Sequence, residues 1–249
     1  MNNDLKDRFI DLWRKYFDNS EFPITFYFSR SSGGVTRVEP VNGWSCLICD
    51  LAKVRKGETL SYNVDSIMCG GAKRYTGYNV EMNSTFRYFL SYGIEGQVRG
   101  ERYKISPDVV DETQKNLVKL PVDGKNLIFK RWDKLDEMDE PEVVIFFAKP
   151  EVLSGLFTLA NFDQVDPNGV ITPFGAGCGS IIHYPYLENN KENPKCVLGM
   201  FDPSARPCVP VNTFSFAIPM KKFIKMISYM DESFLITPTW DKVKPRFNK

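Results

Sequence analysis

A short pattern occurs twice in this chain of 249 residues, and its two copies lie in the same sequence context. The copies are residues 69–75 (CGGAKRY) and residues 178–184 (CGSIIHY). A Leu-Ala pair stands 18 residues before the first cysteine and 19 before the second, counted from the Leu. Further upstream, each copy has an apolar, aromatic-rich segment, residues 24–29 and 143–148. A fixed order of matching features predicts an internal duplication.

The duplication predicts two related halves, residues 1–132 and 133–249, each carrying one Cys-Gly turn. The charged stretch 133–141, which ends in proline, is the predicted connection between them. We therefore expect an α+β (mixed α/β) fold in which two pseudo-repeated strand-helix-strand halves pack as one compact unit. Two equivalent turns would meet near a pseudo-twofold axis, where a ligand could lie between them.

Apolar periodicity and turn residues place the individual elements. A packed helix is expected within residues 1–17, and a second at 44–54 should bury Leu47, Ile48, Leu51 and Ala52. The segment 82–92 is apolar and aromatic, and its periodicity does not distinguish a strand from a short helix. Other helices are predicted at 106–117, 150–159 and 220–230, strands at 24–29, 59–63, 125–132, 143–148, 170–172 and 214–218, and a loosely docked or disordered tail from 237.

Composition and charge pattern argue against nucleic-acid and membrane partners. The chain has 32 basic and 31 acidic residues without a long basic run, so we expect no nucleic-acid partner. No stretch approaches about 20 apolar residues, so we expect no membrane span. The charged, amphipathic N-terminus lacks the apolar core of a signal peptide, which predicts a cytoplasmic location. Six cysteines in a reducing compartment are expected to be thiols, metal ligands or redox groups rather than structural disulfides.

The two Cys-Gly turns are the leading candidates for a ligand site. Glycines between a strand and a helix allow a ligand to approach the backbone, and a helix N-terminus favours a thiolate. We therefore expect Cys69 and Cys178 to face one shared pocket; the alternative is a small buried thiol in a tight turn. The predicted cofactor-binding residues are Cys69, Gly70, Gly71, Lys73, Arg74, Gly177, Cys178, Gly179, Ser180 and Arg206.

Cys46 and Cys49 have the Cys-x-x-Cys spacing of metal ligands or redox pairs, on a predicted helix. Together with Cys69 and Cys178 they make four thiols, the number that an iron–sulfur cluster or an all-thiolate zinc site requires. The predicted metal ligands are thus Cys46, Cys49, Cys69 and Cys178. The alternative is that Cys46 and Cys49 belong to the apolar face of their helix.

His183 is the only histidine, so any mechanism with an imidazole base must use it. It occupies the position in the second copy that Arg74 occupies in the first. Arg206 lies in a loop bracketed by Pro203 and Pro207, and it is suited to bidentate recognition of an anion. Each of these basic residues could instead be an ordinary solvated side chain.

Three stretches resemble a known family: 69–77 (CGGAKRYTG), 173–180 (PFGAGCGS) and 199–206 (GMFDPSAR). They are similar to the bacterial and archaeal domain-of-unknown-function family numbered 169, and the resemblance extends from about residue 20 to 235. This family brings no established reaction, so the resemblance implies no activity.

We therefore expect a cytoplasmic protein that binds a cofactor or a metal cluster, such as an iron–sulfur cluster, in a Cys-lined pocket between the two halves. A first alternative is an enzyme that uses Cys69 or Cys178 as nucleophile on a small anionic substrate held by Arg74 and Arg206. A second is a non-catalytic small-molecule sensor. The sequence predicts no oligomeric state.

Overall fold

The computed structural model describes residues 1–32, 34–78, 81–122 and 125–247. Within these ranges the chain forms helices and a mixed eight-stranded sheet, which confirms the α+β class. The α-helices are α1 (Asn3–Tyr16), α2 (Leu47–Arg55), α3 (Gly70–Tyr75), α4 (Phe86–Phe89), α5 (Pro107–Lys115), α6 (Pro150–Ala160), α7 (Tyr184–Asn189), α8 (Met220–Tyr229) and α9 (Pro238–Val243).

The large sheet has the strand order β2-β3-β6-β1-β7-β10-β9-β8. Its strands are β1 (Ile24–Ser29), β2 (Thr36–Arg37), β3 (Leu60–Tyr62), β6 (Asn126–Arg131), β7 (Val143–Ala148), β8 (Val170–Ile171), β9 (Cys196–Gly199) and β10 (Phe214–Pro219). The short strands β4 (Gly93–Ile94) and β5 (Val98–Arg99) form a separate antiparallel pair. The two apolar segments of the sequence pattern, β1 and β7, lie side by side at the centre and run antiparallel.

Both halves of the sheet have the same strand order and the same pairing senses. Counted along the chain within each half, the order from the centre is first, fourth, third, second, and only the outermost pair is parallel. The finer matches of the sequence pattern do not follow this symmetry. A twofold axis between β1 and β7 that relates these antiparallel strands would place equivalent helices on the same face of the sheet. The two helices that carry the matching Leu-Ala pairs, α2 and α6, pack on opposite faces.

The two Cys-Gly turns also follow strands that are not equivalent in this order. Cys69 comes after β3, the third strand of its half, and Cys178 comes after β8, the second strand of its half. The structure therefore does not confirm the predicted pseudo-repeat of strand, helix and Cys-Gly turn. The division at residue 132 stays a prediction.

Alternation along the strands gives each face of the sheet its own core. On β7, Val143, Ile145 and Phe147 face the first core, and Val144 and Phe146 face the second. The first core is covered by α2, α3, α7 and the π-helical turn Gly179–His183 that precedes α7. Cys178 belongs to this first core, and Cys46 and Cys69 pack against it.

The second core is covered by α1, α6, α8 and α9 and is dominated by aromatic rings. Phe9 packs edge-on against Trp132 and Phe223, which fixes α1 across the sheet. The prediction of a loose C-terminal tail is wrong, because α9 buries Trp240 against Phe17. The indole of Trp240 also donates a hydrogen bond to the backbone oxygen of Tyr16.

Local signals explain where the helices begin. The Ser106 hydroxyl accepts a hydrogen bond from the backbone N–H of Val109, and Pro107 opens α5. Helix α2 begins at Leu47 instead of Trp44, with Cys46 as its N-cap. Leu47, Ile48 and Leu51 are buried as expected, whereas Ala52 is half-buried.

Candidate functional site

The first Cys-Gly turn places Cys69 at the N-cap of α3. The side chain of Cys69 is half-buried and makes no capping hydrogen bond. Its backbone oxygen accepts the first hydrogen bond of the helix from Lys73 N–H. Gly71, two residues into the turn, leaves space beside the thiol, because a Cβ atom built on it would touch only the Cys69 Sγ, at 3.8 Å.

A cavity of about 390 Å³ opens beside this turn, and we call it the Cys69 cavity. Its walls are mostly aromatic and apolar, with a few polar groups. They comprise Trp44, Cys69, Gly71, Tyr75, Phe86, Phe89, Leu90, Tyr103, Lys104, Val110, Thr113, Gln114, Phe174, Gly175, Ala176, Asp202 and Ser204. Residues from both sides of the 132/133 boundary contribute. A concave apolar site with a few convergent polar groups is typical of small-molecule binding.

The second Cys-Gly turn is packed instead of open. A Cβ atom on Gly177 would lie 2.9 Å from the Ala205 Cβ, and one on Gly179 would lie 3.1 Å from the ring of Tyr75. Cys178 is 6% exposed and belongs to the first core. Burial raises the pKa of the Cys178 thiol well above its ordinary value, and the charges of Cys69, Cys46 and Asp202 raise it further. The prediction of a favoured thiolate is therefore wrong for Cys178, because desolvation outweighs the helix N-terminus.

Asp202 and Ser180 hold this second turn in place. One carboxylate oxygen of Asp202 accepts a hydrogen bond from the backbone N–H of Gly177 at 3.1 Å. The other accepts from the backbone N–H and the hydroxyl of Ser204, at 3.0 and 2.8 Å. The Ser180 hydroxyl donates to the Gly177 oxygen and accepts from the Met200 N–H. Asp202 also lines the Cys69 cavity, so it joins the packed turn to the open one.

Three other cysteines come together at the start of α2. The sulfur atoms of Cys46, Cys49 and Cys208 lie within 4.8 Å of one another, and Cys49 forms a disulfide with Cys208. This disulfide differs from the expectation of reduced thiols. It joins α2 to the loop after β9, and the Cys-x-x-Cys spacing does not predict that these two segments lie close together. In this state Cys49 offers no thiolate to the predicted set of Cys46, Cys49, Cys69 and Cys178.

His183 lies in the π-helical turn and is 1% exposed. Its ring meets those of Tyr75 and Tyr184 edge-on, and within the described residues neither ring nitrogen has a hydrogen-bond partner. Burial, together with the nearby Arg74 charge, lowers the pKa of His183 to about 4. The imidazole is neutral at pH 7 but does not line the Cys69 cavity, so the geometry does not pair it with Cys69.

The predicted cations are engaged by the backbone. Arg74 donates to the Gln114 oxygen at 2.9 Å. Arg206 donates to the backbone oxygens of Met200 and Thr213 and lies over the ring of Phe214. Of the predicted cofactor-binding residues, Cys69 and Gly71 line the cavity. The remainder lie outside its walls: Gly70, Lys73, Arg74, Gly177, Cys178, Gly179, Ser180 and Arg206.

The aromatic walls of the Cys69 cavity were not predicted from the sequence. Phe86 and Phe89 come from α4, within the segment whose periodicity was ambiguous, and Trp44 precedes α2. Phe174 and Trp44 are 52% and 72% exposed. Their only signal in the sequence is the high aromatic content of 14%, which does not distinguish a binding wall from a core.

Comparison with known proteins gives a family but no characterised relative. The model of a family described as Uncharacterised ArCR (DUF169) matches residues 14–229, most of the chain. Neither the curated proteins nor the solved structures contain a match. Within the described residues, no helix is long and apolar enough to cross a membrane. The match covers all three motif stretches and both Cys-Gly turns, and the chain therefore belongs to the DUF169 family.

Proposed function

We propose that this protein binds a small organic cofactor or ligand in the Cys69 cavity, with the Cys69 thiol against the bound molecule. The observation that carries the proposal is the half-buried thiol in the wall of a concave, mostly aromatic cavity. The volume of about 390 Å³ falls within the range of ordinary ligand sites. Residues on both sides of the 132/133 boundary line the cavity.

The walls favour a flat, largely apolar molecule with one polar end. Phe86, Phe89 and Phe174 supply ring faces and edges that suit a conjugated ring system. Lys104, whose Nζ lies 5.4 Å from the centre of the Phe174 ring, and Gln114 can meet a polar substituent. The ligand class is therefore an aromatic or conjugated molecule that carries a single polar or anionic group.

Two features favour binding over the alternative of thiol catalysis on an anion. Arg74 and Arg206, the predicted anion holders, are outside the cavity and bonded to backbone oxygens. The neutral imidazole of His183 is packed between tyrosines instead of facing Cys69. A nucleophilic thiol needs a base or a cation that favours its thiolate. The cavity wall offers Lys104 alone among the described cations.

The iron–sulfur version of the prediction is less well supported. A cluster on Cys46, Cys49, Cys69 and Cys178 would need Cys49 to be released from Cys208 and Cys178 to be released from its packed turn. We therefore assign the cavity to an organic molecule. A cytoplasmic location and the absence of a nucleic-acid partner stay predictions from the sequence.

The proposal can be tested with the fluorescent probe anilinonaphthalene sulfonate (ANS), which combines fused aromatic rings with one anionic group. We expect saturable binding to the native protein. A Gly71→Leu variant should weaken it by at least about tenfold, because the new side chain projects beside Cys69 into the cavity. Gly70→Leu is the matched control, since Gly70 is on the same helix but exposed and outside the cavity wall.

Circular dichroism and thermal unfolding would establish that both variants are folded. Bound ANS should also slow alkylation of Cys69 by iodoacetamide without slowing alkylation of Cys46. Equal ANS affinity in Gly71→Leu and the native protein would contradict the proposal, as would a failure of the native protein to bind. A second apolar groove of about 320 Å³, lined by Leu153, Phe157 and Phe201 among others, is the competing location for the probe.

A further inference from the structure

Three sulfur atoms at the start of α2 form a compact group that the Cys69 cavity does not use. Cys46 is the N-cap of α2, Cys49 lies in the first turn, and Cys208 ends the one-turn 3-10 helix Arg206–Cys208. All three sulfurs lie within 4.8 Å of one another. Tetrahedral zinc with Zn–S distances near 2.3 Å places its sulfur ligands about 3.8 Å apart. Small side-chain movements would therefore bring the three sulfurs onto one ion.

We propose that Cys46, Cys49 and Cys208 form a three-thiolate site for a soft metal ion such as Zn²⁺, and that reduction of the Cys49–Cys208 disulfide opens this site. In the oxidised state two of the three sulfurs are bonded to each other, and only Cys46 remains as a thiol. A dithiol reductant supplies two electrons, becomes a disulfide itself and leaves Cys49 and Cys208 as thiols. Metal binding then displaces the protons from the three thiols.

The surroundings suit an exchangeable site. Cys49 is exposed, and Cys46 and Cys208 are half-buried, so a reductant and a metal ion can both reach the group. With three protein ligands the fourth position is open to water or to a small ligand. Cys178 is not part of this compact group of three sulfurs. The ligand set therefore keeps Cys46 and Cys49 from the sequence pattern and adds Cys208, which only the fold brings near them.

The test uses Co²⁺ as an optical probe and Zn²⁺ as its competitor. Protein reduced with a phosphine under argon should bind one Co²⁺ and show the intense thiolate-to-cobalt charge-transfer band. Zn²⁺ should abolish this band, because zinc binds thiolate sites more tightly than cobalt. Protein whose disulfide has been verified by peptide mapping should show no band. Equal binding by the oxidised and reduced forms, or no binding by the reduced form, would overturn the proposal.

Serine variants identify the ligands. Cys46→Ser, Cys49→Ser and Cys208→Ser should each weaken Co²⁺ binding by at least about 100-fold. Loss of a residue that only hydrogen-bonds to a metal ligand costs up to about 100-fold in affinity, and loss of the ligand itself costs more. Cys196→Ser is the matched control, because Cys196 is a buried free thiol in the second core, on the opposite face of the sheet. Unchanged Co²⁺ binding in folded Cys46→Ser protein would overturn the proposal. A loss of the band in Cys69→Ser and Cys178→Ser, with Cys208→Ser unaffected, would overturn it in favour of the four-thiol set read from the sequence.

This inference and the proposed function fail independently. ANS binding depends on the cavity walls near Gly71, and Co²⁺ binding depends on thiols at the start of α2. A protein that binds ANS but no Co²⁺ retains the ligand cavity and loses the metal site. If the protein binds Co²⁺ but no ANS, the metal site is retained and the ligand cavity is lost.

Discussion

The two Cys-Gly turns are alike in sequence, but one is open to a cavity and the other is packed into the core. Cys69 is half-buried beside a space of about 390 Å³, whereas Cys178 is 6% exposed. The difference comes from what covers each turn. Ala205, Met200 and Ile48 press against Gly177, and Tyr75 presses against Gly179, but nothing except the thiol itself lies near the missing Cβ of Gly71.

Glycine therefore serves different purposes in the two copies. In the first turn its small size leaves room beside a thiol. In the second it allows the backbone to pack against neighbouring side chains at distances that a Cβ would not permit. A Cys-Gly pattern predicts a tight turn before a helix, and the surrounding fold decides whether a ligand can reach it.

The largest expected difference is in thiol reactivity. Iodoacetamide should alkylate Cys69 at least about 100-fold faster than Cys178, because Cys178 must first be exposed by a local opening that costs about 3 kcal/mol or more. Burial also raises the pKa of Cys178, which lowers its thiolate fraction at pH 8. Peptide mass spectrometry on native protein with its disulfide intact would give both rates. Cys196, which is buried, provides an internal reference for a slow thiol; similar rates at Cys69 and Cys178 would refute the contrast.

The second prediction compares one added methyl group in each turn. Gly177→Ala should lower the free energy of unfolding by about 1–3 kcal/mol, because its Cβ would lie 2.9 Å from the Ala205 Cβ and 3.2 Å from the Met200 Sδ. Gly71→Ala should leave stability unchanged or raise it by up to about 1 kcal/mol, since its Cβ meets nothing closer than 3.8 Å and alanine favours the helix. Urea unfolding measures both. A tolerated Gly177→Ala would show that the second turn is looser than described.

The third prediction concerns the buried imidazole of His183, in the π-helical turn that follows Cys178. The pKa of His183 is about 4 in the folded protein and ordinarily 6.5, so between these values the unfolded chain binds more protons. Stability should therefore fall as the pH is lowered through this range. The contribution of His183 to the loss between pH 7 and pH 5 is about 2 kcal/mol.

His183→Phe should remove that contribution while keeping the ring contacts with Tyr75 and Tyr184. Urea unfolding of both proteins at pH 7 and pH 5 isolates the effect, because the other titrating groups are common to both. As His183 is the only histidine, its imidazole resonances can also be followed directly by NMR. Titration near the ordinary value would mean that the ring reaches solvent.

Much of the fold could be predicted from the sequence because the signals were local. The strand Val143–Ala148 is buried along its whole length, and its predicted bounds are those of β7. Ser106 and Pro107 mark the start of α5, as the sequence indicated. Trp240 was missed because a Pro- and Lys-rich tail gives no periodic signal, and its burial depends on packing against Phe17.

The site was predicted only in part because it depends on long-range contacts. Cys69 and Gly71 could be recognised from their turn. Phe86 and Phe174 are far apart in sequence and share a wall only in the folded chain. The pairing of Cys49 with Cys208 spans 159 residues, so no local spacing indicates it. Burial, which decides that Cys178 is not a favoured thiolate, is likewise a property of the whole fold.

A crystal structure of the protein with bound ANS would show directly which of the two Cys-Gly turns faces a ligand. We expect electron density for the fused rings between Phe89 and Phe174, in contact with the Cys69 sulfur, and an unchanged, closed turn around Cys178. Density in the groove at Leu153 and Phe157 with none beside Cys69 would contradict this expectation. So would a probe that had displaced the second Cys-Gly turn to reach Cys178.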